Sequence, residues 1–161
     1  DTVRDRLGPI EARDLSANAD AVVTGAVQPA PRVAAGVCDV ADPLNWGSAD
    51  SAHPCAEHAP LIVAEGSLAI TGGSGQGVLI VPGDLTLSGG ARFAGLVLVG
   101  GRIDVAADAR IDGLVRAEGA DASRVDGAVR AAACPIWRAL TATPGLRSPF
   151  LPAGHRWIPQ F

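Results

Sequence analysis

The chain has 161 residues, 48% of them hydrophobic but only 4% aromatic, and a net charge of −4 in which all 13 basic residues are Arg. That length suffices for one domain with its own core, and a core so poor in aromatics must be filled by Ala, Val, Leu and Ile packed in regular layers. The arginines stand singly, so no patch is dense enough to suggest a nucleic-acid partner, and no run of about 18 apolar residues is present to span a membrane.

In chain order, the sequence opens on Asp1 rather than Met, an opening expected if a signal or anchor was removed or if the chain is a fragment. Val3, Leu7 and Ile10 are spaced for a short helix over 1–13, although Gly8-Pro9 interrupts it. Ala19–Val27 closely echoes Ala107–Val115 and is expected to form a piece of the same repeat. Residues 28–60, rich in Pro, Ala, Asp and Cys, do not repeat and are expected to form a long excursion.

Residues 61–131 carry the main signal. Glycine recurs every six residues at Gly77, Gly83, Gly89, Gly95 and Gly101, is replaced by Ala107, and returns at Gly113 and Gly119. Two positions after each stands Leu79, Leu85, Ala91, Val97, Ile103, Ala109 or Val115, and two further on Val81, Leu87, Phe93, Val99, Val105 or Ile111. Alternation within each unit means extended chain with one face in and one out. The period of six above it means a turn after every short strand, with glycine at the corner. Three sides close a coil of about eighteen residues, and Gly77–Val81 and Gly95–Val99 are nearly identical at that separation. The predicted fold is all-β: a single domain built on a short parallel β-solenoid, a triangular β-helix, with coils over 19–27 and 61–131. The stretch Gly72–Gln76 is one residue short and is expected to be irregular, and two extra residues follow Gly119 before Val125, Gly127 and Val129 restore the beat.

Residues 132–161 do not repeat; a helical turn is predicted around Ile136–Leu140. Open solenoid ends expose sheet edges and core, so residues 28–60 and 132–161, which hold all three Trp residues, are predicted to act as caps. Trp137, Arg156 and Trp157 form the candidate partner surface, since Trp and Arg are enriched at binding hot spots. The competing role for these tryptophans is to plug the end of the core.

Three cysteines, Cys38, Cys55 and Cys134, allow three pairings. Cys38–Cys55 is the preferred pair because these residues bracket the excursion, and such a bond points to an oxidising compartment. His53, Cys55 and His58, with Cys38 or Glu57 as a further ligand, follow no common zinc spacing, and no metal or other cofactor is expected. Gly73-Ser74-Gly75-Gln76-Gly77 lacks the second glycine of a nucleophile elbow and the helix of a dinucleotide fingerprint, and reads as a glycine corner. Asp84, Asp104 and Asp112 are spaced for an acidic ladder, but Arg92, Arg102 and Arg110 lie close enough to pair with them.

Cys38-Asp39, Asn45-Trp46-Gly47, Pro54-Cys55, Pro60–Val63, Gly75–Val81, Gly83-Asp84-Leu85, Phe93–Val97, and then Cys134, Arg138-Ala139-Leu140 and Arg156-Trp157 together resemble bacterial envelope proteins described as pilus-assembly or minor-pilin-like. The resemblance covers roughly residues 20–160 and implies a compartment more than a mechanism. The solenoid repeat by itself is similar to that of bactofilins, from which the cysteines and caps depart. The function expected is a non-enzymatic, extracytoplasmic structural or assembly subunit with a protein partner. The alternative is an accessory subunit docked on a larger membrane-bound complex, which would expose an apolar surface around Trp137 and Trp157. An acyltransferase or carbohydrate-active enzyme would need a catalytic His or paired carboxylates in a cleft, and none stands out.

Overall fold

In the computed structural model the described residues are 17–143. They form a parallel β-solenoid of about four turns with one short helix. The first strand, β1 (Ala21–Val27), is followed by a small antiparallel hairpin, β2 (Val33–Ala34) with β3 (Val37–Cys38). The coils continue through β4 (Leu61–Ile70), β5 (Ser74–Val81), β6 (Leu85–Leu87), β7 (Arg92–Val99), β8 (Ile103–Val105) and β9 (Arg110–Ala117). A single 3-10 turn at Ala120–Ala122 precedes β10 (Arg124–Val125) and β11 (Ala128–Arg130), and α1 (Ala133–Ala142) closes the series. Every pairing in the main sheet is parallel.

The pairing resolves into three sides. On the first, Leu61–Val63 pairs with Val78–Ile80, which pairs in turn with Leu96–Leu98 and then Leu114–Arg116. On the second, Leu68–Ile70 pairs with Leu85–Leu87, then Ile103–Val105, then Arg124-Val125. On the third, Ser74–Gln76 pairs with Arg92–Ala94, then Asp112 and its neighbours, then Ala128–Arg130. The apolar residues that follow each glycine point inward. Leu79, Val81, Leu85, Leu87, Ala91, Phe93, Val97, Val99, Ile103, Val105, Ala109 and Ile111 are all buried in one continuous core. At the last coil the column meets solvent, with the inward Val125 and Val129 49% and 39% exposed.

Coils can stack this closely because the corner between the third and first sides is glycine. Gly77, Gly95 and Gly113 lie in register at positive φ, and a Cβ on Gly95 would fall 2.0 Å from the Gly77 carbonyl oxygen. The eighteen-residue step varies in two places. Leu61 and Leu68 pair with residues seventeen later, while Ser74 pairs eighteen later, so the short stretch is absorbed at the corner before Ser74. Asp104 pairs with Arg124, twenty later, the 3-10 turn taking up the two extra residues. Arg110 then pairs with Ala128 at eighteen, so the next corner is shortened to compensate.

The excursion enters at the third side of the first coil. The Ser74 N–H donates to the Pro29 carbonyl (2.9 Å) and the Gln76 N–H to the Trp46 carbonyl (2.7 Å), so Pro29 and Trp46 together supply the edge on which this side stacks. The Trp46 indole is fully buried and meets Phe93 edge-on, with ring centroids 6.2 Å apart. Phe93 pairs with Gly75, the residue between them, and it is the missing Gly75 side chain that lets the two rings meet. Of the tryptophans assigned to caps, Trp46 is thus part of the core.

Candidate functional site

The first side is apolar on both faces. Its inward residues belong to the core, and its outward Leu61, Val63, Val78 and Ile80 are buried in a second cluster with Ala139 of α1, flanked by Leu96 and Leu98. The described part of the C-terminal segment therefore covers a flank of the solenoid. The helix packs against β5, β7 and β9, and its small Ala139 allows close approach. Its end is tied down: Thr143 is fully buried, and its hydroxyl and N–H both donate to the Ala139 carbonyl.

The other face of α1 is not covered by the described residues. Trp137 is 71% exposed and Leu140 46% exposed, a large apolar pair presented one turn apart on a helix seated on a rigid sheet. Ile136, Trp137, Arg138 and Cys134 line a groove of about 880 Å³ whose far side is formed by Glu57 of the excursion. Cys134 is a free, exposed thiol. The groove joins an aromatic face to one acidic and one basic side chain, a composition that suits a protein surface. Trp137 stands where a partner could reach it, while Arg156 and Trp157, named with it from sequence, lie outside the described residues, as does the helix expected over 1–13.

The excursion bounding this groove is held by a compact set of polar contacts. Cys38 and Cys55 are joined, with an S–S distance of 2.12 Å. Asn45, buried beside both sulfurs, donates to the Asp39 carbonyl (2.7 Å) and the Arg32 carbonyl (3.1 Å), and accepts from the Gly47 N–H (3.1 Å). Gln76, also buried, donates to the carbonyls of Ala56 (2.7 Å) and His58 (2.9 Å). The excursion is therefore fastened at both ends to the third side. Sequence reasoning missed Asn45, Trp46 and Gln76 as the anchors, because isolated polar and aromatic residues in an aperiodic segment carry no spacing signal.

The chemistry weighed from sequence does not assemble. The Cys38 and Cys55 sulfurs are spent on each other; His53 Nδ1 accepts from the Cys55 N–H (3.0 Å), and His58 Nε2 lies 3.0 Å from the Asn45 carbonyl oxygen, to which it donates. Among the described residues no three His, Cys, Asp or Glu side chains come together as a metal-binding group. Gly73–Gln76 lies in the third side and its preceding corner, with Ser74 beginning β5. Instead of an acidic ladder, Arg102 lies 3.4 Å from Asp84 and 3.6 Å from Asp104, and Arg110 2.5 Å from Asp112. The pairs of the half-exposed Arg102 contribute about 1 kcal/mol or less each. No family model, curated protein or solved structure matches the chain.

Proposed function

We propose that this chain is a non-catalytic, extracytoplasmic structural or assembly subunit, pilus-associated in its cellular setting, that offers the outer face of α1 to a protein partner. The observation that carries the reading is the exposure of Trp137 and Leu140 on a helix whose opposite face is buried on the solenoid. A rigid platform bearing an exposed Trp costs little ordering on association, which favours recognition over a mobile display of the same side chains. The Cys38–Cys55 bond supports an oxidising compartment. A non-catalytic role is supported by the commitment of His53 and His58 to backbone partners and of Asp84, Asp104 and Asp112 to arginines.

The same exposed apolar face favours a second reading, an accessory subunit docked on a larger membrane-bound complex. One experiment serves both. Trp137→Ala should leave thermal stability within about 0.5 kcal/mol of wild type, because the side chain is mostly exposed. It should remove a stoichiometric envelope partner that co-purifies with the wild-type chain under mild solubilisation. An integral membrane partner identifies the second reading, and a soluble or filament subunit the first. A partner retained at full stoichiometry by Trp137→Ala contradicts both.

A further inference from the structure

The third side carries a feature unrelated to α1. Its outward ladder runs Ser74, Arg92, Arg110, Ala128, so Arg92 and Arg110 are direct register partners. Neighbouring strands lie about 4.8 Å apart, and like charges directly opposite each other are destabilising. Both arginines line a groove of about 270 Å³ with Ser74 and Asp112, closed on the far side by Ser48 and Asp50 of the excursion.

The donors in this groove are incompletely met. Arg92 is exposed and its guanidinium has no carboxylate or hydrogen-bond partner among the described residues. Arg110 Nε lies 2.5 Å from Asp112 Oδ2, yet it is buried and makes no hydrogen bond. Distance and alignment disagree here. The pair is held by charge, and the Nε–H is not aligned on the carboxylate oxygen as a hydrogen bond, so this buried donor is not fully met. A buried unmet donor calls for a ligand, ion or water. The Ser48 hydroxyl oxygen accepts from the Asp50 N–H (3.2 Å), which leaves its own proton available, and Asp50 Oδ1 is taken by the Ala52 N–H (3.0 Å).

We propose that this groove binds an oxyanion, a carboxylate or phosphate group, held between the Arg92 and Arg110 guanidiniums with the Ser48 and Ser74 hydroxyls as neutral donors. Guanidinium forks suit planar or tetrahedral oxyanions, and a bound anion relieves the repulsion between the stacked arginines. Asp112 and Asp50 offset the two positive charges, and the chain is net −4, so the groove selects one anionic group rather than a polyanionic strand.

The test is a titration of the whole chain with inorganic phosphate and, separately, acetate at constant ionic strength, followed through the arginine Nε–Hε resonances. Saturable shifts at Arg92 and Arg110 are expected, with Arg102 on the second side unmoved. Arg92→Gln should leave the melt unchanged and weaken binding at Arg110 about tenfold, the loss of one charge-assisted hydrogen bond. Tighter binding of acetate assigns the natural source to a carboxylate, and tighter binding of phosphate to a phosphate. Shifts that grow linearly and equally at Arg102, or binding unaffected by Arg92→Gln, overturn the site. Because α1 takes no part, neither result depends on the outcome of the Trp137→Ala experiment.

Discussion

Gly75 and Trp46 occupy one space between them. A Cβ on Gly75 would lie 2.6 Å from the Trp46 Cβ, and that vacancy is what carries the indole to Phe93. Gly75→Ala is therefore expected to overpack the third side and cost about 1–3 kcal/mol. Trp46→Ala should cost about 3–5 kcal/mol through the cavity it leaves. Trp46→Ala keeps the Cβ that the added methyl meets, whereas Trp46→Gly removes it, so the losses of Gly75→Ala and Trp46→Gly should fall short of their sum in the double variant by about 1 kcal/mol or more in urea unfolding. Strict additivity would show that the two residues do not share this space. The inward phase of Phe93 was legible from the six-residue beat alone, because a residue two positions past each inward site must also point in. The partner of Phe93 was not, since Trp46 reaches it from an insertion with no period.

At the scale of the element, α1 has little within itself to hold it. Its N-cap is Ala132, with no side-chain hydrogen bond, its first turn has no acidic residue, and Ala139 is its one buried residue. What holds it is the apolar flank beneath, so the helix should open without the solenoid. Ala139→Asp places a carboxylate against Leu61 and Val78, where it has no partner. Amide exchange over 133–142 should then accelerate by at least about a hundredfold, the effect of roughly 3 kcal/mol, while β5 and β7 stay protected. Equal acceleration in the strands would mean that the helix is integral to the solenoid. A helical turn at Ile136–Leu140 was legible, but its seat was not inferred. The signal was present: Leu61–Ala64, Val78–Val81 and Leu96–Val99 are unbroken apolar runs, as expected of strands buried on both faces. Leu85-Thr86-Leu87 and Ile103-Asp104-Val105 alternate because their outer face is wet.

For the whole molecule, the parallel solenoid followed from glycine recurrence and alternation because each coil stacks only on its neighbours, so the spacing in sequence becomes the register in space. Where spacing broke, the register shifted locally and recovered, as at the twenty-residue step from Asp104 to Arg124. The candidate sites were less legible, because they arise where the aperiodic excursion and the helix lie against the regular faces, and such contacts leave no period to read. The α1 face lies on the first side of the solenoid and the Arg92–Arg110 groove on the third. The claim that α1 is the docking face is tested most directly by a photo-reactive amino acid placed at position 137, and in a second variant at the exposed position 86 on the second side, in cells that make the chain from its natural locus. A single adduct of defined mass at 137, absent at 86, is the result expected. No adduct at 137, or the same adduct from both positions, would contradict it.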